Sequence, residues 1–539
     1  MNFIDKAVSF VNPVSGAKRV LARKLLEKAE TIYSPQSRTD QTKNYNPRFP
    51  TDPNFQMSYA HKSGQQRSLG LYFDNPIAKG IINAMVDGAL GNGLTVESAI
   101  NYKVLGMTAE QVADIQQKIE WYWDVWANDP MLCDHYGKQT FGSLQREAYI
   151  NALSGGDVLQ HIKISRTGKM YLPQVQNIPG QNVKSPHDSD SKQIAGGVEV
   201  DNTGRETAYH MAVVGDDLMT EKIIKVNKYS TKNGRIMYNL VLQGNAMPGQ
   251  RRGRSILLTV NEQIIQLGRY SEAELTKSII QSFLTLFIEK SKEDEAESYD
   301  NPLQNLKDAS KGFTIVDSEG NEVDTAAEEK QLYNLGPGLI WDLPSGHTAK
   351  PVESTAPVAE FWKFMEAQLK LIGMAVNIPY EVLIKSFNSS YSASQASIQD
   401  AARGWKIAGG EWAYRYCQPV YDQFVEMLVR LKVIDAPGFF DNPIIRNAWC
   451  RAKWRGPALL HVDPRKSVES YINAINNNLI TRESASQALY GEDWDIVNDR
   501  NAQELQKMRD RGVGINDKGY IKLINEAEDD DGNPIGGNQ

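Results

Sequence analysis

Apolar residues recur at helical spacing in several separated stretches of the chain and at strand spacing in one long stretch. Ile77, Ile81, Ile82, Met85 and Val86 follow Asn75-Pro76, where a proline at the first helical position sacrifices no hydrogen bond. The spacing predicts a helix there, ended by the turn Gly88–Gly93 and followed by a strand at Leu94-Thr95-Val96. A second helix is predicted over Thr108–Trp126, opened by Thr108 with Glu110 in its first turn, and a third over Phe141–Ser154. From Asp157 to Leu242 apolar and polar residues alternate between Gly, Asn and Asp turns, as in Val158-Leu159-Gln160-His161-Ile162-Lys163-Ile164, which is the pattern of antiparallel strands.

The longest uninterrupted helical pattern is Leu257–Phe287, where Val260, Ile264, Leu267, Leu275, Ile279, Phe283 and Leu286 make the stripe. It returns over Ala356–Asn377 with Val358, Phe361, Met365, Leu369, Ile372 and Val376, and Pro379 ends it. Between them lies an insert with an acidic start (Glu293–Glu297) and strand-like pieces at Phe313–Val316 and Leu339–Trp341. Two such helices make a pair whose outer sides need further partners, and copies of the same chain in a ring would supply them. A small polar loop, Ile384–Ser392, precedes a long helix from Ala393 to Leu431, which Pro419 is expected to kink. Shorter helices are expected at Arg465–Asn476 and Arg482–Tyr490.

The flanks are different. Met1 to about Gly70 is polar, with Lys18, Arg19, Arg23, Lys24 and Lys28 in one short helical stretch, and is expected to be a flexible arm. The end, with Glu526–Asp531, is expected to be a flexible acidic tail. Met1–Val11 lacks the basic start and apolar core of a signal peptide, and no run of about 18 apolar residues predicts a membrane span.

Composition excludes more than it proposes. With 539 residues, 41% of them hydrophobic and 23% charged, the chain has ample core for several subdomains. A net charge of −7 opposes a tight phosphate grip, though it does not exclude a protein that surrounds DNA without holding it. Cys133, Cys417 and Cys450 have no metal or redox spacing and read as buried thiols. No phosphate loop, HExxH or GxSxG motif occurs, and the seven histidines are far apart, so no cofactor, metal or catalytic residue is expected. Trp121, Trp123 and Trp126 could stack on bases, but core packing is the stronger reading.

Several blocks in order carry a resemblance. They are Asn75-Pro76; Gly91-Asn92-Gly93-Leu94; Trp126, Asp134, Phe141 and Gln145; Gly155-Gly156-Asp157; and Pro248-Gly249-Gln250-Arg251-Arg252-Gly253. Leu335–Ile340, Leu343–Gly346, Asn377–Glu381, Ser390-Tyr391-Ser392, Trp454, Pro457, Asp463-Pro464, Lys466 and Gly491-Glu492-Asp493 follow. From about Asn75 to about Asp495 the chain resembles the lambda-like portal proteins of tailed phages. The resemblance implies an α+β portal-type subunit: a mixed wing, a helical-hairpin stem, a small β-rich clip, a long backbone helix and a helical C-terminal part. Its parts would be an arm 1–70, wing 71–256, first stem helix 257–287, clip 288–352, second stem helix 353–383, tunnel loop 384–392, backbone helix 393–433, C-terminal wing and crown 434–510, and tail 511–539.

The implied function is a ring of about a dozen copies at a capsid vertex, through which double-stranded DNA enters and leaves without sequence-specific contacts. Its implied partners are the large terminase motor, head-completion or adaptor proteins, and the major capsid and scaffold proteins, with assembly in the host cytoplasm and residence in the virion. Lys385, Ser386, Asn388, Ser389, Ser390, Tyr391 and Ser392 would face the channel, their short polar groups giving weak, exchangeable phosphate contacts. Val260, Ile264, Leu267, Leu275, Ile279, Phe283, Phe361, Met365, Leu369 and Ile372 would pack the stem between subunits. A packaging nuclease or ATPase, and a minor capsid protein without a channel, are the alternatives.

Overall fold

The computed structural model describes residues 53–186, 191, 193–214, 221–243, 247–282, 286–290, 347–351, 361–386, 391–458, 464–491, 494–511, 513–515 and 521–523. The readings at 1–52, Phe313–Val316, Leu339–Trp341 and 524–539 lie outside them. One compact unit comprises the chain up to Glu262 together with the chain from Leu369 onward; the other is Gln263–Gln368.

The first unit opens with helix α1, Pro53–Asp74, within the stretch expected to be a flexible arm. Its sequence has no apolar stripe to announce it, and long-range polar bonds hold it instead. Asn54 donates to the Gly249 carbonyl at 3.0 Å, and Gln65 to that of Gly155 at 2.9 Å. Helix α2, Pro76–Leu90, starts where Asn75 accepts from the amides of Ile77 and Ala78. Such a cap satisfies donors that a helix start leaves orphaned. Strand β1, Thr95–Ser98, follows. Helix α3, Ala109–Asn128, carries a reciprocal cap between Thr108 and Gln111, and α4, Phe141–Gly155, is capped by Thr140.

Seven strands then follow. β2 (Asp157–Thr167), β3 (Met170–Pro179) and β8 (Tyr238–Leu242) form a sheet in the order β3-β2-β8. β4 (Ile194–Ala195), β5 (Val198–Val200), β6 (Glu206–Val214) and β7 (Glu221–Asn227) form a second, antiparallel sheet in sequence order. The period-two alternation does what it predicts. Leu159, Ile178 and Leu240, in register across the first sheet, pack against Val198, Val200 and Tyr209 of the second.

Helix α5, Asn261–Ser282, is preceded by a 3₁₀ turn at Ile256–Thr259. It is shorter than the Leu257–Phe287 pattern. Leu286–Lys290 is a strand, β9, paired antiparallel with β10, His347–Pro351. Leu286, Phe287 and Ile288 continue an apolar run whose spacing fits either state, and a pairing partner some sixty positions on decides for the strand. Helix α6 is Phe361–Val376.

The long helix forms as α7, Tyr391–Trp412, a π turn at Ala413–Cys417, and α8, Gln418–Arg430. Helix α9, Pro443–Trp449, leads to strand β11, Ala452–Arg455, which pairs with β1 from the far end of the sequence. Helices α10 (Pro464–Asn476), α11 (Arg482–Tyr490) and α12 (Trp494–Asp510) follow. No helix among the described residues is long and apolar enough to cross a membrane.

The centre of the first unit is aromatic. Trp123 meets Trp126 at 4.6 Å, Phe424 at 5.1 Å and Phe141 at 5.3 Å, joining α3, α4 and α8. Trp126 is 1% exposed and its indole N–H donates to the Pro173 carbonyl. Two of the three indoles are therefore core; the third, Trp121, is exposed.

Candidate functional site

The loop expected to face the channel begins as a defined turn. After the short helix Tyr380–Leu383, Lys385 adopts a left-handed φ of 54°. Its amide bonds the Val382 carbonyl, and that of Ser386 bonds Glu381. This is a helix-terminating motif that usually holds glycine. Asn388, Ser389 and Ser390 lie outside the described residues. Tyr391 and Ser392 are not loop but the first residues of α7. Serines suit a helix start, and nothing between Tyr391 and Trp412 breaks the helix.

The stem residues divide. Val260, Ile264 and Leu267 are buried, and so is Ile372. Phe361, Met365 and Leu369 are half-buried. Phe361 stacks on Tyr270 at 5.3 Å, and Phe364 meets the same ring edge-on at 4.8 Å, which joins α5 to α6 within the second unit. Leu275 is 62% exposed. Ile279 belongs to α5, its side chain outside the described set, and Phe283 is outside it altogether. Trp362, 73% exposed, and Phe364, 45% exposed, add large apolar surface that the stripe reading did not include.

The blocks that carried the resemblance meet one another in space. Asp157, fully buried, takes the Arg252 guanidinium on both oxygens, at 2.8 and 2.7 Å, and the Gly253 amide at 3.0 Å. Arg252 spends its remaining donors on the carbonyls of Val183, Gly196 and Gly180, each at 2.7 Å. Burial alone would raise the Asp157 carboxyl, but Arg252 overrides it and holds the group below the usual carboxylate range. Beside the pair the backbones touch: a Cβ on Gly253 would fall on the Gly156 carbonyl. Likewise Gln145 brackets Leu94, accepting its N–H at 2.8 Å and donating to its C=O at 3.1 Å, while Gly93 lies against Gly142. Asp134 gathers the amides of Tyr136, Lys138 and Gln139.

The kink expected from Pro419 is a π turn, and the sheet completes it. A proline removes one donor and displaces its turn, leaving carbonyls without helical partners. The Arg415 carbonyl accepts from Asn239 at 2.8 Å, and the Tyr416 carbonyl from Gln160 at 3.0 Å. Arg415 donates to the Leu242 carbonyl, and Tyr416 Oη to Asn177. Sequence reading passed over Gln160 and Asn239. The available signal was Gln160 itself, a polar residue on the same strand face as Val158 and Ile162.

No group of three His, Cys, Asp or Glu among the described residues could hold a metal. The three cysteines are buried and unpaired, and burial pushes the Cys133 thiol up to about 12. Such thiols are unreactive at neutral pH.

Residues 38–408 match the model of the phage portal protein, lambda family. The chain is 22% identical over 465 residues to portal protein B of Escherichia phage lambda, covering 84% of each chain. It is 23% identical over 496 residues to the portal protein of Escherichia phage N15, covering 87% of this chain and 90% of that one. Among solved structures it is similar to a chain from the neck of an empty gene transfer agent particle computed with C6 symmetry, at 11% identity and a TM-score of 0.40, over 83% of this chain and 95% of that one. The chain belongs to the lambda family of phage portal proteins, and is a structural subunit of the portal vertex rather than an enzyme.

Proposed function

We propose that copies of this chain close head to tail into a ring whose channel passes double-stranded DNA into the capsid during packaging and out of it at ejection. The observation that carries this reading is the incomplete burial of the helix pair. Leu275, Trp362 and Phe364 leave broad apolar surface open on two helices that already pack on each other through Tyr270. Patches of that kind mark association surfaces, and neighbouring copies are the partner a portal ring provides.

In this reading α5 and α6 are the stem and the segment between β9 and β10 is the clip. That clip receives the terminase motor and then the head-completion proteins. Lys385 to Ser390 narrow the channel just before α7. Assembly takes place in the host cytoplasm, where capsid and scaffold proteins meet the ring.

Native mass spectrometry of the purified full-length chain, with negative-stain imaging, tests the ring. A closed ring of about a dozen copies with a central hole is expected. A chain that stays monomeric or dimeric at all concentrations, with scaffold protein present, would refute it.

A further inference from the structure

Two surfaces of the first unit carry charge that the subunit leaves unneutralised. The first is the outer face of α3. Its inner stripe, Val112, Ile119, Trp123 and Trp126, is buried in the core. Opposite lie Glu110, Asp114 and Asp124, with Asp129 just beyond the helix, around Trp121 at 63% and Val125 at 64% exposure; the one lysine on this side, Lys118, gives its ammonium to the Val433 carbonyl at 2.7 Å. A helix face turned to water is normally polar throughout, and an indole at its centre needs a reason.

The second surface is the β2–β3 ribbon. The two strands pair from Val158↔Pro179 to Thr167↔Met170, whereas β8 accompanies β2 only from Asp157 to His161. From Ile162 to Tyr171 the ribbon therefore runs on without its third strand. Arg166 pairs with Tyr171 across the ribbon, so the two share one face, and Lys169 follows in the turn; both cations are exposed and Tyr171 is 48% exposed, while the exposed Lys163 pairs with Gln174 on the other face. No Asp or Glu occurs anywhere between Val158 and Pro186.

Elsewhere in the unit charges find partners: Lys184 with Glu221, Lys225 with Glu199, Lys228 with Glu206, and Glu426 with both Arg430 and Arg446. None of the four acids on α3 or the three cations on the ribbon is in an ion pair among the described residues. Acidic groups around an indole and two cations, Arg166 and Lys169, near a tyrosine are complementary in sign and in apolar content. A head-to-tail ring needs two different, complementary faces on every copy.

We propose that the acidic face of α3 in one subunit receives the basic β2–β3 ribbon of the next, with Trp121 and Val125 under Tyr171 and the aliphatic stem of Arg166. This pairing rests on the ring reading above. Opposite charges meeting this way steer the approach and reject the wrong orientation.

The test uses two full-length variants. One reverses the helix (Asp114→Lys with Asp124→Lys); the other reverses the ribbon (Arg166→Glu with Lys169→Glu). All four positions are exposed, and circular dichroism checks that each variant is folded. Native mass spectrometry at low salt reads the ring fraction. Each variant alone should lose at least tenfold in closed rings relative to wild type. An equimolar mixture should recover them, as rings of alternating composition resolved by mass. Wild-type rings should also weaken as salt rises from about 0.1 to about 1 M, where screening shortens to a few ångströms. Variants that close alone as wild type does, a folded mixture that does not recover, or salt-insensitive wild-type rings would each overturn the pairing. The first of these would leave the acidic face to a partner other than this chain. A wild-type chain that never closes overturns the ring itself, which is a separate and recognisable result.

Discussion

The two compact units solve burial in different ways. In the first, the two most demanding interior groups have their answer within the same chain: the π turn is met by Gln160 and Asn239, and the buried Arg252 by Asp157 and three carbonyls. In the second, Tyr270 ties α5 to α6, and then Leu275, Trp362 and Phe364 are left in the open. The first unit closes its interior with its own residues, and the second leaves apolar surface on its helix pair open. Stability of the subunit and stability of the assembly should therefore respond to different residues.

The largest blow to the first unit is Arg252→Met. It strands the Asp157 carboxylate in a fully buried site, and breaking such a pair costs about 3–5 kcal/mol, read as a lower urea midpoint. A loss under about 1 kcal/mol would mean that the brace is not a brace. The same pair sets an acid limit. Because the folded Asp157 lies below its unfolded value, its contribution is full above about pH 4 and is lost as pH falls through the folded value.

Gln160→Leu comes next. It leaves the Tyr416 carbonyl buried and unsatisfied, at about 1–3 kcal/mol, and should speed amide exchange around 413–420 while leaving α5 unchanged. Equal acceleration in α5 would dissolve the distinction between the units.

Asp422 sharpens the same point through pH. Burial pushes its carboxyl up to about 6, with Gln418 as its hydrogen-bond partner. The folded protein thus holds this proton more tightly than the unfolded chain does, so stability falls as pH rises from about 4 to about 6. Asp422→Asn keeps the acceptor and should stabilise by about 1–3 kcal/mol at pH 8, with the gain vanishing near pH 4 in paired urea melts.

Trp362→Ser has the smallest expected effect on the subunit, within about 0.5 kcal/mol, since the ring is already 73% exposed. Its effect on ring yield in native mass spectra should be large. A monomer destabilised by several times that amount would show that the second unit is completed within its own chain.

Much of this architecture is legible in the sequence, because it is local. Helix α11 falls on the predicted Arg482–Tyr490, and α2 and α4 begin at the predicted Pro76 and Phe141. What was illegible depends on distance. α1 has no apolar stripe and stands on side-chain bonds to Gly249 and Gly155. The pairing of β1 with β11 joins Thr95 to Arg455, and no periodicity predicts such a partner. Leu286 and Phe287, the start of β9, fall within the predicted helix because a short apolar run fits both states. The resemblance blocks were visible as an ordered series, but not as contacts. That Gly156-Asp157 and Arg252-Gly253 are two halves of one brace needed the fold.

The β9–β10 ribbon has a consequence for how such a chain can change. Lys290 pairs with His347, so the chain departs from the ribbon and returns to it at points one strand spacing apart, about 5 Å. The segment between those points can be lengthened, shortened or exchanged between related chains without moving either end. The ribbon makes the segment a cassette, exchangeable along a lineage while the rest of the subunit stays unchanged.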